Sequence, residues 1–344
     1  MYKINPNSSH NSRRSFIKTL SAGAAGLTAG ATLFSGEPFA ATQKPKTSRV
    51  TFVTGNDRRN MIYQTLKPLK REIKKGIGKK QVILKPNNVY GDIPLCATHV
   101  DALRGVLDLL KEIYDKQVII AESTVFKEGT LVTFEQYGYL PLEREYNVRF
   151  VDLNNVEDTT THWILDKNHH PVGVRIIDTF LDPDNYFISV TRLKSHDTVV
   201  ATLSIKNMVM ASPRYEYNVG NDKRFVHQGP KESNWNMFQL AKSVRPQLAV
   251  LDGVEGMEGN GPIRGTPVDH GVALASTDFI SADVIGVGLM GLEVSDVGYL
   301  TYCIDAGYGQ GDRSKIKIVG PDPSEHVIKY RLHDNIDTQM QWKD

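Results

Sequence analysis

The chain has 344 residues, 40% of them hydrophobic, with 41 Lys and Arg against 39 Asp and Glu, a formal net charge of +2. That length can bury one large core or two smaller ones, and so even a charge balance excludes a nucleic-acid partner held by a general basic field. Two cysteines, Cys96 and Cys303, exclude a tetrad of cysteine ligands around zinc or iron–sulfur within this chain, so no cysteine-ligated iron–sulfur cluster is expected.

In chain order, the first organised segment is Ser12-Arg13-Arg14-Ser15-Phe16-Ile17-Lys18. An arginine pair follows a polar stretch and precedes an uncharged run over 19–36. Small residues close the run at Pro38-Phe39-Ala40-Ala41. This is the layout of a twin-arginine export signal. Residues 1–41 are therefore expected to be a signal peptide, handled by the twin-arginine export machinery and leading to the periplasm or another exported location. Within 19–36 only Leu20, Leu27, Leu33 and Phe34 carry strong apolar weight, too little for a stable transmembrane anchor. Residues 1–41 hold Lys3, Arg13, Arg14 and Lys18 against Glu37, a net of +3, which leaves about −1 for the rest.

Residues 42–48 read as a linker, 49–320 as an α/β domain and 321–344 as a C-terminal tail. Strands are predicted at 49–55 (RVTFVTG), 81–87 (QVILKPN), 117–123 (QVIIAES) and 148–153. Between them lie a helix capped by Asp57 and broken near Pro68, and a second helix over 100–114. The second has apolar residues at Leu103, Val106, Leu107, Leu110 and Ile113, with Thr98 as its cap. Alternation of this kind predicts right-handed crossovers and a largely parallel sheet with flanking helices. Apolar runs at 162–166, 172–181 and 186–193, separated by turn-rich residues, predict an inserted β meander. Residues 207–229 read as a long loop. A helix around 235–244, a strand at 248–251, a glycine-rich loop, a strand at 271–275, two helices and a strand at 316–319 complete the pattern.

In parallel sheets, ligands bind beyond the carboxyl ends of the strands. The predicted strands end in Lys85-Pro86-Asn87-Asn88, Glu122-Ser123, Lys194-Ser195-His196-Asp197, Asp252-Gly253-Val254-Glu255 and Ser276-Thr277-Asp278. Lys85, Lys194 and Lys206 can hold an anion, since each offers several donors on a point charge. Asn87, His99, Glu122, Asn207 and Asn260 complete the expected binding set. His196, His227 and Lys206 are the candidate proton-transfer groups. Asp252, Glu255 and Asp278 offer carboxylate oxygens suited to a divalent metal.

The same strand-end residues carry a family resemblance. Lys85-Pro86-Asn87 with Thr98-His99, Glu122-Ser123, Leu193-Lys194-Ser195-His196 and Leu203-Ser204-Ile205-Lys206-Asn207 are similar to motifs of the DUF362 family, a domain of unknown function. So are His227, the run from Asp252 to Pro262, Ser276-x-Asp278 with Ala282-Asp283, and Met290-Gly291. The resemblance covers roughly residues 80–310. It implies a shared fold and no particular activity. Many relatives carry a ferredoxin-like cysteine cluster, which this chain lacks. The expectation is an exported enzyme that binds a small anionic ligand at the strand ends, with a divalent metal as a possible companion. The alternative is a non-catalytic ligand- or metal-binding protein of the cell envelope.

Overall fold

Residues 47–344 are described in a computed structural model; the expected export signal lies outside them. β1 (Ser48–Thr54) buries Val50 and Phe52. Asp57 then caps α1 (Arg58–Leu66) by accepting the Asn60 N–H at 3.1 Å. Pro68 sits in the 3₁₀ turn that separates α1 from α2 (Lys70–Ile77). β2 (Gln81–Lys85) leads to α3 (Val100–Leu110). Its cap is His99, whose Nδ1 accepts the Asp101 N–H at 3.1 Å. Thr98, expected in that role, instead accepts the Asn87 N–H at 2.8 Å and donates to the Val190 carbonyl at 2.7 Å.

β3 (Val118–Glu122), α4 (Thr130–Gln136), α5 (Leu142–Glu145) and β4 (Val148–Asp152) follow. β5 (Thr159–Leu165) and β6 (Pro171–Ile177) form a separate antiparallel hairpin. Next come β7 (Asn185–Ser195), β8 (Ala201–Thr202), α6 (Ser204–Val209), the short hairpin of β9 (Tyr215–Glu216) and β10 (Gly220–Asn221), α7 (Lys223–Val226) and α8 (Pro230–Ala241). The chain continues through β11 (Leu248–Asn260), β12 (Arg264–Ser276), α9 (Phe279–Leu289), α10 (Gly298–Asp305), β13 (Ile316–Val319) and α11 (Ile336–Gln339).

Nine strands form one sheet in the order β13-β1-β12-β11-β7-β2-β3-β4, with β8 on β7. Only β12 and β8 run antiparallel to their neighbours. This is the α/β, largely parallel sheet that the alternation predicts. Helices α1 to α3 cover one face with Ile62, Leu66, Leu103 and Val106. Helices α6, α8, α9 and α10 cover the other with Ile205, Met237, Ile285 and Leu300. All eleven residues of α9 are buried, so that helix has no polar stripe. Cys96 and Cys303 are buried and free. Among the described residues no helix is long and apolar enough to cross a membrane.

Three expectations change. Residues 186–193, expected in a meander, belong to β7 at the centre of the sheet, buried on both faces. A central strand has no solvent face, so apolar residues occupy both faces and even the polar Ser189, Thr191 and Arg192 are buried. The meander is reduced to the β5–β6 hairpin. The glycine-rich stretch after Leu251 is not a loop but the outer half of β11, paired with β12 as far as Asn260 and Arg264. The glycines permit close packing: a Cβ at Gly256 would overlap the buried Tyr330 hydroxyl. Finally, because β12 runs backwards, Ser276 lies opposite Ala249 while Asp252 lies opposite Ala273. The Ser276–Asp278 tip therefore sits at the opposite edge from the other strand ends.

The segment expected as a tail packs against the same body. Tyr330 and Trp342 are buried. The Gln339 side chain accepts the Val200 N–H at 2.7 Å and donates to the His196 carbonyl at 2.9 Å.

Candidate functional site

The parallel strands β2 and β3 end side by side at Lys85 and Glu122, while β7, whose Ser189 lies opposite Lys85, runs on past them so that Lys194 reaches Asn87 beyond the end of β2. Above this edge lies a cavity of about 610 Å³. Lys85, Asn87, Glu122, His196, Lys206, Asn207 and His227 line it, together with Ser123, Lys223 and Arg224. A volume of this size suits a small molecule.

Lys85 is saturated. Its ammonium donates to Glu122 Oε2 at 2.7 Å, to Asn207 Oδ1 at 2.8 Å and to the Pro86 carbonyl at 2.8 Å. Burial lowers its pKa, and the Glu122 charge opposes the shift. Glu122 also accepts the N–H groups of Asn88 and Ser123. Asn87 donates to Asn207 Oδ1 at 3.1 Å and accepts from Lys194 at 2.8 Å. Lys194, fully buried, lies beneath Asn87, donates also to the Cys96 carbonyl, and does not line the cavity. Burial brings its pKa down to about 8.

Lys206 projects from α6, a six-residue helix whose first N–H groups, on Ser204 and Ile205, are both held by the Asp283 carboxylate. It is 6% exposed. Burial first, then the charge of Lys194, lower its pKa to about 7. His196 and His227 stack with ring centroids 5.9 Å apart and planes at 11°. His196 Nδ1 accepts the Thr198 N–H at 3.0 Å, which leaves Nε2 to carry the ring proton. Burial keeps His196 well below the usual imidazole range, with Lys206 adding to the shift. His227 sits at the open side of the cavity. The protein atoms around it and Lys206 lower its pKa as well. Both rings are neutral at pH 7.

Residues 82–288 match a family described as "Domain of unknown function (DUF362)". The chain belongs to the DUF362 family. The cavity residues, from Lys85 to Pro262, all fall inside the DUF362 match. A relative, the thylakoid-associated protein sll1697 of Synechocystis sp., is 28% identical over 223 residues. That alignment covers 63% of this chain and 65% of the relative, so the chain spans just under two thirds of the relative's length. A crystal structure of a Thermotoga maritima protein is similar at a TM-score of 0.40 and 11% identity, over 74% of this chain and 59% of that one.

Besides Lys194, five expected site residues lie apart from the DUF362 cavity. His99, half-exposed, caps α3. Asn260 exchanges hydrogen bonds with Asp334 on the surface. Asp252 pairs with Arg58 at 3.0 Å and Glu255 with Arg192 at 2.9 Å. Asp278 caps α9 and accepts the Gln310 N–H at the far edge of the sheet. The proposed carboxylate set for a metal is thus not assembled. Two of its members are engaged by arginines, and the reversal of β12 carries the third away. Among the described residues no three His, Cys, Asp or Glu side chains gather as a metal ion would require.

Sequence reasoning missed Lys223. Its ammonium donates to Ser123 Oγ at 2.8 Å and to the carbonyls of Met210 and Ala211 at 2.9 and 3.1 Å. Burial lowers its pKa to about 7. It lies in α7, inside the stretch read as a loop, and the length of that stretch is the one signal that pointed there.

Proposed function

We propose that this domain binds a small anionic molecule in the cavity and acts on it by proton transfer. The supporting observation is one of charge. Lys85, Lys206 and Lys223 are buried around one opening with Lys194 beneath Asn87, and among the described residues Glu122 alone forms an ion pair with any of them. Buried positive charge without counter-charge is unfavourable until an anion enters. Arg224 lines the same opening and adds a planar donor suited to carboxylate or phosphate. The shifts of His196 and His227 favour the neutral form; His227 can then accept a proton beside the bound anion, and His196 can donate a hydrogen bond from Nε2. Asn87 and Asn207, locked by their lysine contacts, orient it.

The test is thermal unfolding in a series of sulfate, phosphate, pyruvate and citrate concentrations at constant ionic strength. At a hundred times its Kd, a ligand adds about 2.7 kcal/mol to the folded state. The melting temperature is expected to climb with at least one of these anions, and the climb to disappear in Lys223→Gln. A melting temperature that ignores every anion would overturn the reading.

The export of the chain is part of the same reading. It is supported by the order of polar stretch, Arg13-Arg14 pair, uncharged run and small-residue exit within residues 1–41. Cell fractionation of the parent against Arg13→Lys/Arg14→Lys tests it. Retention of the double variant inside the cytoplasm is the expected result. Identical distribution of the two would rule it out.

A further inference from the structure

The four buried lysines in and beneath the cavity differ in what their nitrogens do. An ammonium has three protons to donate. Lys85 places all three, on Pro86, Glu122 and Asn207. Lys223 also places three, on Ser123, Met210 and Ala211. Lys194 donates twice and does not line the cavity. Lys206 does line it and is 6% exposed, yet among the described residues its Nζ takes part in no hydrogen bond. Nζ therefore opens onto the cavity with no protein acceptor, where a neutral amine keeps its lone pair free to attack.

We propose that Lys206 is a nucleophilic amine that forms an imine with the carbonyl group of an anionic aldehyde or ketone held in the cavity. The inference rests on the anion-binding reading and specifies its substrate class. The surroundings favour the free amine. Lys194 and Lys85 oppose a further positive charge, and Asp197 alone among the facing groups supports it. His196 and His227 stand beside it as neutral rings. The lowering of the Lys206 pKa to about 7 fits this balance and matches the way enzymes activate lysine nucleophiles by burial and neighbouring cations. Its helix is anchored by Asp283, so the amine is presented from a fixed support.

The step balances without an oxidant. Nζ adds to the carbonyl carbon, a carbon–nitrogen bond forms, and the carbonyl oxygen becomes a hydroxyl. The nitrogen's two protons leave with that oxygen as water, and a carbon–nitrogen double bond remains. His196, with its proton on Nε2, can donate a hydrogen bond to that oxygen as the nitrogen's protons pass to it. Arg224 and the charge of Lys223 hold the carboxylate or phosphate of the substrate.

The experiment uses the full chain. The protein is incubated separately with pyruvate, glyoxylate and pyridoxal 5′-phosphate, reduced with sodium borohydride, digested, and mapped by mass spectrometry. The expected result is a reduced adduct on Lys206 with at least one probe, in excess over surface lysines and over the neutral control acetone. Sulfate at ten times its Kd should lower the labelling about tenfold by competition. Lys206→Arg, with its folding checked by circular dichroism, should lose the adduct. Absence of a Lys206 adduct with all three probes, or labelling spread evenly over the surface lysines, would overturn the inference. If sulfate still raises the melting temperature in that case, the anion-binding reading survives. If none of sulfate, phosphate, pyruvate and citrate has an effect either, both readings fall.

Discussion

Lys85 Nζ and Glu122 Oε2 lie 2.7 Å apart at the ends of neighbouring parallel strands, with both side chains out of contact with solvent. Neither partner can be neutralised without leaving the other stranded. Glu122→Gln keeps the shape and removes the charge. It is expected to destabilise the fold by about 3–5 kcal/mol, the usual consequence of orphaning one member of a buried pair. Urea unfolding measures this. Lys85→Met combined with Glu122→Leu should recover much of the loss, because the desolvation of both charges then disappears as well. A Glu122→Gln protein as stable as the parent would mean that the pair is not buried in solution.

Stability should rise with pH above neutrality. The Lys206 pKa is lowered to about 7 from 10.5. Below about pH 7 the folded and unfolded chains both hold the proton, and the full penalty of the buried charge applies. Between about 7 and 10.5 the unfolded chain keeps the proton while the folded chain releases it. The folded state therefore gains up to about 1.4 kcal/mol per pH unit for this group. Lys223, lowered to about 7 by the same cause, contributes in the same direction. Lys206→Met should flatten the rise. Urea midpoints at pH 7 and pH 9, compared between parent and variant, isolate the term, and parallel curves would contradict it.

Anion affinity should run the other way. As pH passes through 7 to 8, Lys206 and Lys223 lose the protons that attract an anion. Sulfate keeps its charge over this range and so reports the protein alone. Its binding, followed by calorimetry, is expected to be roughly tenfold weaker at pH 8.5 than at pH 6.5. Proton uptake on binding, read from the buffer dependence of the heat, should be largest near pH 8. Equal affinity at the two pH values would exclude these lysines from the anion's surroundings.

Gly261 packs against the tip of β7. A Cβ there would overlap the Ser195 carbonyl oxygen and come within 2.8 Å of Ser195 Oγ. Ser195 lies between Lys194 and His196. Gly261→Ala is expected to lower stability by about 1–3 kcal/mol and to weaken sulfate binding by displacing the strand end. Ser195→Gly removes the Oγ contact and leaves the carbonyl in place, so the double variant is expected to recover little. Calorimetry of the single and double variants checks both effects.

Much of this site is legible from strand ends. Lys85, Glu122, Lys194 and His196 stand where apolar runs stop, and a parallel sheet must bring such ends together. Asp278 stands at a strand end too, but its strand runs backwards. That reversal follows from the β11–β12 hairpin, which the glycines of β11 disguised as a loop. Glycine permits a loop and equally permits the tight packing against Tyr330 that is found. Lys223 was illegible for another reason. Its partners are Ser123 and two backbone carbonyls, and a carbonyl leaves no mark in a sequence. The central position of β7 was hidden because a strand buried on both faces and a strand of a hydrophobic meander read alike.

Gln339 holds the turn that follows His196 by both ends of its amide, and it comes after every cavity residue in the chain. An elongating polypeptide therefore makes all four lysines and both histidines well before it makes the clamp that fixes one of those histidines. During synthesis the binding groups exist for a time without their final geometry. A shortened product of translation would carry the whole DUF362 match while its His196 turn remained unfastened.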